Sequence, residues 1–591
     1  MITDNLNDEQ RTAVLEQGNI LLTACPGSGK TRVLIHKLAH ELISLEENSK
    51  KKIIALTFTV RASEEIFRRL NLMGIKYNQI WSGTLHAFCL EWILKPYSSY
   101  LDQLKNGYTI ADETYCANLI DELKVKYGLN TYESINLRLR RDGSFIQQGD
   151  VSRKLLQEYH SILLKEKLID FDLLLFCSYK ILVKHPEIQK TLSNLFKLIA
   201  VDEYQDTQDL LYGIISLIVK SGQGKTTLFL VGDTDQAIYT SLGGVAKTLK
   251  EIRSEIDNLP MKQLTLTGNY RSNQRIIDYY THFQTQKIDI KALGKNSTEK
   301  GLITFNNSVH YSNLAPEIAK LIQLSLDKGI PEDEICVLVP QWWLVISLAK
   351  KLKELLPTVN FDASGLTPMS KNRENIWYKL SRLFLTIPSP KIYSLRYKWA
   401  TELIELFKNE INGDFKESYM TERNFLKLIN SIKSNKTEGV GYLNDCFDQF
   451  LSIVEIDINQ YTNLLLSREI YFNTIEKRLQ EGDPKFPSDI ESFKGFYKEM
   501  TGVVINTCVG IKGEEFETVI SYGLLYGYIP HWSDIISGDP ISSSKKLMYV
   551  ICSRAKTNLH LLSETGRKTQ KGKLLDINPE LKSKVFSYDQ I

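Results

Sequence analysis

Apolar positions recur along the chain in two patterns. The first is a set of short, nearly continuous runs: Ile20-Leu21-Leu22-Thr23-Ala24, Ile53-Ile54-Ala55-Leu56, Leu198-Ile199-Ala200-Val201 and Leu228-Phe229-Leu230-Val231. Such runs predict strands buried on both faces, as in a parallel sheet. The second is helical spacing between the runs, as at Val33, Leu34 and Leu38, or Ala62, Ile66 and Leu70. A shorter strand is expected at Gln79–Trp81. Strand and helix alternate, which predicts an α/β chain with a doubly wound sheet.

From about residue 90 to 165 the long apolar runs stop. Short helices surround a polar stretch containing Arg138, Arg140 and Arg141, and the segment is expected to be a helical insertion. The arginines suit either a solvated face or duplex phosphates. A second strand pattern starts at Ile335-Cys336-Val337-Leu338-Val339. It resumes at Val503-Val504-Ile505, Thr518-Val519-Ile520 and Leu559-His560-Leu561-Leu562. Between its parts, residues 376–499 are helical and aromatic-rich, with Pro484 and Pro487 marking the exit. An aromatic stripe of that kind predicts helix core.

The expected division follows: a first core from 1–89 and 165–275, with insertion 90–164. A second core comprises 276–375 and 500–565, with insertion 376–499 and a tail at 566–591. The length of 591 residues fits about four domains.

Composition narrows the picture. Net charge is only +3, so a nucleic-acid contact must come from a local groove rather than a global basic field. Eight cysteines (25, 89, 116, 177, 336, 446, 508 and 552) form no Cys-x-x-Cys pair, which argues against zinc, iron–sulfur and disulfide frameworks. The first residues are polar, and no uncharged run is long enough to span a bilayer. A soluble, cytoplasmic protein without membrane contact is expected.

The first apolar run enters Ala24-Cys25-Pro26-Gly27-Ser28-Gly29-Lys30-Thr31-Arg32, and a helical pattern follows. This is a phosphate-binding loop. Gly27 and Gly29 let backbone N–H groups curl round phosphate oxygens, Lys30 reaches the β- and γ-phosphates, and the Thr31 hydroxyl suits Mg²⁺. The helix adds its positive N-terminal end. Ala24 stands where the common pattern has its first glycine. The expected ligand is ATP with Mg²⁺. Upstream, Asn7-Asp8-Glu9-Gln10 opens a helix. Two roles are open to Gln10: capping-box partner of Asn7, and an amide reading the adenine edge.

Val201-Asp202-Glu203-Tyr204-Gln205-Asp206 puts two carboxylates at the end of a buried strand. Asp202 suits the Mg²⁺ side and Glu203 the attacking water. A further strand ends at Asp233 and Gln236, and a glutamine there is placed to sense the γ-phosphate and relay its loss to whatever Tyr239 touches. Gly222-Gln223-Gly224-Lys225-Thr226 mimics a second phosphate loop but precedes a strand, so it is expected to be a turn. Threonines and a histidine at strand ends, among Thr57-Phe58-Thr59 and Gly83-Thr84-Leu85-His86, suit a nucleic-acid backbone. For His86 alone a structural role is the safer expectation.

In this order the segments resemble the successive motifs of the UvrD/Rep family of superfamily 1 helicases. The likeness continues through Leu266-Thr267-Gly268-Asn269-Tyr270-Arg271, Thr507-Cys508-Val509-Gly510-Ile511-Lys512-Gly513-Glu514-Glu515-Phe516 and Tyr549-Val550-Ile551-Cys552-Ser553-Arg554-Ala555-Lys556. It implies two RecA-like cores, each with a helical insertion, and an ATP-dependent motor on single-stranded DNA or a single/double-strand junction. It implies 3′ to 5′ movement, with Arg271 and Arg554 reaching the triphosphate across the cleft and Glu515 bonding a ribose hydroxyl. As a lone residue, Glu515 equally suits pairing with Lys512. On the DNA side it implies Thr57, Phe58, Thr84, His86, Tyr239 and Thr507. The family includes compact members such as the helicase subunit of the Gabija anti-phage system, which works with a separate nuclease. An alternative role is therefore a DNA-sensing ATPase subunit in defence or repair. The chain departs from the family at Ser241-Leu242-Gly243, where an aromatic-Arg-Gly is usual, and at Val509, where a histidine is usual.

Overall fold

A computed structural model describes residues 2–46, 49–76, 78–130, 133–240, 243–363, 369, 375–411, 419, 421–480, 486–497, 502–569 and 571–591. Ser241 and Leu242, at the departure noted above, lie outside the described residues.

The first sheet has six parallel strands: β1 (Asn19–Ala24), β2 (Lys52–Thr57), β3 (Ile80–Thr84), β4 (Phe196–Asp202), β5 (Thr227–Gly232) and β6 (Met261–Leu266). Their order is β3-β2-β4-β5-β1-β6. β1 is buried at every position, as its continuous apolar run requires. In register, Leu22 pairs with Val231 on one side and Leu264 on the other. Because all six strands run the same way, their C-terminal ends share one edge. Ala24, Thr57, Thr84, Asp202 and Gly232 end there, and the chemistry-bearing loops follow them. β3 runs on to Thr84, past the expected Gln79–Trp81. Gly83 lies within it, and a Cβ there would meet the Trp81 ring at 2.5 Å.

The second sheet is also six-stranded and parallel: β7 (Leu302–Asn306), β8 (Ile335–Val339), β9 (Phe361–Asp362), β10 (Val503–Thr507), β11 (Phe516–Ser521) and β12 (Ala555–Leu562). Their order is β7-β12-β11-β8-β10-β9. The fold is therefore α/β with two parallel-sheet cores. Helices carried by 376–495 form a separate apolar cluster around Trp377, Phe407, Phe447 and Phe450. The Trp377 indole N–H donates to the Leu464 carbonyl at 2.9 Å, so this aromatic stripe is core. The helices of 113–195 instead share one cluster with a face of the first sheet, through Phe88, Tyr159 and Leu211.

Three sequence expectations find their outcome here. Arg141 neither lies free nor faces outward: it bonds Asp209 at 2.8 Å and Glu255 at 3.0 Å, tying the insertion to the core. Gly222–Thr226 is a turn, closed by Lys225 N–H to Gly222 O at 2.9 Å. The last residues are docked: Asp589 pairs with Arg275 at 2.6 Å, and its N–H donates to the Ile303 carbonyl at 2.8 Å. All eight cysteines are free and buried. Among the described residues no cluster of metal-ligating side chains is found, and no helix is long and apolar enough to cross a membrane.

Candidate functional site

The loop after β1 turns on two left-handed glycines, Gly27 at φ +69° and Gly29 at φ +80°. Gly29 is the N-cap of helix α1 (Lys30–Ile43), so the helix begins at Lys30 itself. No side chain caps that end, which leaves the N–H groups of the first turn for an anion. A Cβ at Gly27 would sit 2.6 Å from the Arg271 Cβ and 2.9 Å from Asn269 Oδ1. Glycine is required by that approach as much as by φ. Ala24 is the last, fully buried residue of β1. Ser28 Oγ donates to the Cys25 carbonyl at 2.7 Å, holding the loop's curl.

Gln10 is buried beneath the loop. It completes the capping box with Asn7, and its Nε2 donates to the Ser28 carbonyl at 2.9 Å. The capping reading is thus realised, with the amide against the phosphate loop. Arg32 lies on the same side, donating to the Asn5 carbonyl at 2.6 Å.

Lys30 Nζ lies 3.2 Å from the Glu203 carboxylate. Glu203 occupies a left-handed backbone conformation, φ +51°, which turns it back towards the loop. Gln205 donates to Glu203 at 2.5 Å and accepts from the Asp233 N–H at 3.0 Å. Burial opposes ionisation of Glu203, but Lys30, Lys512 and these hydrogen bonds outweigh it and hold its pKa down. Asp202 moves the other way, raised by burial and then by the Glu203 charge. One acid of the pair is held ionised while its neighbour is disfavoured as an anion. Asp233 is pushed up to about 6, chiefly by burial.

Gln236 joins the two cores. Its Nε2 donates to Asp233 at 2.8 Å, and its Oε1 accepts from Arg554 Nη2 at 3.0 Å. Arg554 is buried, and burial followed by the nearby Arg271 lowers its pKa to about 9. Arg271 bonds Glu515 at 2.6 Å and the Ser553 carbonyl at 2.8 Å. Glu515 therefore pairs with Arg271 rather than Lys512. Lys512 crosses to the first core instead, where it bonds Asp206 at 2.5 Å and the Gln236 carbonyl at 2.6 Å. A cavity of about 370 Å³ lies among these groups, lined by Pro26 to Arg32, Glu203, Gln236, Arg271, Glu515 and Arg554.

Three further residues line it, Arg69, Tyr270 and Gly513. Another, Asn269, organises it: this fully buried amide donates to the Pro26 carbonyl at 2.8 Å and accepts from Arg271 N–H at 2.7 Å. It fixes the phosphate loop and the arginine relative to each other. Its motif was legible in sequence, but its role needed the contact between segments 243 residues apart.

At the rim, Phe58 and Tyr239 stack with centroids 4.8 Å apart and planes at 17°. Tyr239 Oη donates to the Val509 carbonyl at 3.2 Å, and Lys512 Nζ lies 5.2 Å from its ring centroid. Thr57, Thr84 and Thr507 have local partners: Thr57 Oγ1 donates to the Thr59 carbonyl at 2.9 Å, and Thr84 and Thr507 accept from Ala87 and Gly510 N–H groups. His86 packs edge-on against Phe171 at 5.0 Å, and burial drops its pKa to about 4.

A phosphate loop, two strand-end acids and a glutamine clasped by an arginine from a second parallel core are the layout of a two-core nucleotide motor. Residues 6–257 match the UvrD/REP helicase N-terminal domain. The chain is similar to the UvrD/REP helicases. It is 23% identical to the ATP-dependent DNA helicase PcrA of Staphylococcus epidermidis, over 96% of this chain and 84% of that protein. It is 25% identical to the ATP-dependent DNA helicase Rep of Buchnera aphidicola, over 97% of each. It is 30% identical to DNA helicase II of Escherichia coli, over 47% of this chain and 40% of that protein.

Proposed function

We propose that this chain is a UvrD/REP-like, ATP-driven DNA helicase that moves 3′ to 5′ on single-stranded DNA. The observation that carries the reading is the Asp233–Gln236–Arg554 chain of hydrogen bonds, which links the end of β5 to the second core through one amide. A γ-phosphate entering between Lys30 and Arg554 competes for the guanidinium, so hydrolysis is felt by both cores. Lys30 binds the β/γ-phosphates, and Glu203, kept ionised, orients and deprotonates the attacking water. Arg271 and Arg554 stabilise the charge that develops on the transferred phosphoryl group. Binding requires Glu515 to release Arg271, which frees its carboxylate for a ribose hydroxyl. The exposed ring of Tyr270 and the guanidinium of Arg32 line the cavity and suit the two faces of a purine.

Mg²⁺ fits the donor set: the Thr31 hydroxyl and the Asp202 carboxylate are hard oxygen ligands, and a dication would favour the ionised form that burial disfavours. When bound it would neutralise phosphate charge.

A second reading is a DNA-sensing ATPase subunit that clamps a strand, unwinds poorly and works with a nuclease. The absence of the family's aromatic-Arg-Gly at Ser241-Leu242-Gly243 favours it. The two are separated by measuring ATPase stimulation and strand displacement together, on duplexes with 3′ or 5′ single-stranded tails. Stimulation with displacement from the 3′ tail supports the motor. Stimulation without displacement supports the sensor, and hydrolysis indifferent to DNA overturns both.

A further inference from the structure

The two helical insertions meet across a cavity of about 450 Å³. Small-molecule sites typically enclose roughly 300–1,000 Å³. One wall belongs to the first insertion and its exit, where Thr109 and Ile110 pair in parallel with Leu168 and Ile169. The other wall comes from three helices of the second insertion, Ile376–Leu385, Tyr393–Glu410 and Thr462–Gln480. Ile110 and Leu168 on the first wall, with Ile376, Leu406, Leu464 and Ile470 on the second, make the lining largely apolar.

Three carboxylates reach this lining, Asp112 and Glu166 from the first wall and Glu410 from the second. Among the described residues that line it there is no lysine, arginine or histidine. The neutral polar groups are taken up within the second insertion: Asn375 Nδ2 donates to the Ser467 carbonyl at 2.7 Å, and Ser467 Oγ accepts from the Trp377 indole at 3.1 Å. Glu166 accepts from the Tyr115 hydroxyl at 2.5 Å, and Glu410 is bonded by Asn463, so neutral donors orient both carboxylates. Burial pushes the Glu410 carboxyl up. Such a lining repels phosphate and draws a cation. A single metal ion does not answer to it. Among the described residues no group of three or more His, Cys, Asp or Glu side chains is placed to hold one, so these carboxylates are spread too widely to share an ion.

Acids divided between opposed walls, with hydrocarbon between them, match a cation that has two heads and a methylene stem. We infer that the cavity binds a linear aliphatic polyamine, with one ammonium against Glu410, another against Asp112 and Glu166, and the stem on the apolar walls. The bound cation offsets the repulsion between the walls and ties the two insertions to each other. None of the residues lining this cavity lines the nucleotide cleft, so the site is a second one and goes beyond the motor reading.

The test uses the full chain and spermidine, without nucleotide or DNA, at constant ionic strength. Calorimetric titration of the wild type gives saturable binding to one site. Glu410→Gln and Glu166→Gln, one on each wall, each weaken it by about fivefold or more. Butylamine, with a single head, binds at least about tenfold more weakly than spermidine. Mg²⁺ at equal charge does not displace the polyamine. Ile470→Lys sets an ammonium in the cavity and abolishes binding. The glutamines keep the size of the side chain and the bonds from Tyr115 and Asn463, so circular dichroism and basal ATP hydrolysis are unchanged in both; should Ile470→Lys fail to fold, these two variants carry the test. Absence of saturable binding, or wild-type affinity in both folded glutamine variants, overturns the site. A loss in only one of them overturns the bridge between the insertions, and displacement by Mg²⁺ at equal charge reduces the effect to charge screening and overturns the polyamine. Because the assay holds no DNA, none of these outcomes bears on the motor reading.

Discussion

Arg554 and Gln236 are 318 residues apart in sequence, yet a 3.0 Å hydrogen bond joins them inside the cleft. The guanidinium is buried with no carboxylate bonded to it; its acceptors are this amide, a serine hydroxyl and two backbone carbonyls. A charge so held is poised for a better anion, and a phosphate is one. The same arrangement makes Gln236 a direct contact between the cores. Arg554→Lys loses the planar fork and should lower kcat by about a thousandfold while ATP still binds. Steady-state hydrolysis with a fluorescent-nucleotide titration checks this. Retention of more than a tenth of the wild-type rate would remove Arg554 from the chemistry.

Lys30 begins α1 with its ammonium 3.2 Å from Glu203. Lys30→Ala should abolish ATP hydrolysis to below about one-hundredth of wild type with an unchanged circular dichroism spectrum. Glu203 keeps its bond from Gln205, so loss of the lysine leaves it partly satisfied. Near-normal turnover would mean that the loop binds its phosphate elsewhere.

Glu203→Gln separates binding from chemistry. The amide is nearly isosteric and still accepts from Gln205, but it takes no proton from water. ATP should bind in a calorimetric titration within about threefold of wild type, while hydrolysis slows by two orders of magnitude or more. Loss of binding would instead show Glu203 to be structural.

Much of this was legible beforehand, for a physical reason. Parallel strands buried on both faces must be apolar throughout, so 20–24, 53–57, 198–202 and 227–231 announced themselves. The phosphate loop is local in sequence and so is its signature. Partners joined only by folding stayed hidden. Lys512 reaches Asp206 across 306 residues, and nothing in its own segment chose Asp206 over Glu515. Gln10 illustrates the middle ground, since its capping role was readable from spacing and its bond to Ser28 was not. The β3 edge strand ran further than its apolar run because Gly83 accommodates the folded-back Trp81 ring.

Asp233 carries a pH signature in stability. Burial raises its pKa to about 6 in the folded chain, above the ordinary 3.8. The folded state thus binds the proton more tightly than the unfolded state. The stability contributed by protonation is present below pH 3.8 and is lost as pH rises through about 6. Asp233→Asn cannot titrate. The difference in unfolding free energy, wild type minus variant, should fall by on the order of 2–3 kcal/mol between pH 4 and pH 7. Denaturant titrations at both pH values measure it. A pH-independent difference would mean that the carboxylate is fully compensated by Lys30.

Phe58 and Tyr239 stack at 4.8 Å, one ring exposed and the other bonded across the cleft to Val509. The pair joins a rim of the first core to a loop carried by the second core. Tyr239→Phe deletes only the hydroxyl bond, keeping the stack and the cation above it. It should leave single-strand affinity within about twofold, because base stacking survives, while weakening DNA stimulation of the ATPase by several-fold. Phe58→Ala removes the exposed face itself and should cost about 1–3 kcal/mol of oligonucleotide affinity. Its basal hydrolysis should remain intact, since Phe58 does not line the nucleotide cavity. Affinity and DNA-stimulated turnover measured on both variants therefore separate holding the strand from reporting it. If both variants lose affinity equally and neither changes stimulation, Tyr239 is only part of the floor, and the signal from Gln236 leaves the cleft by another route, through Lys512 and its bond to the Gln236 carbonyl.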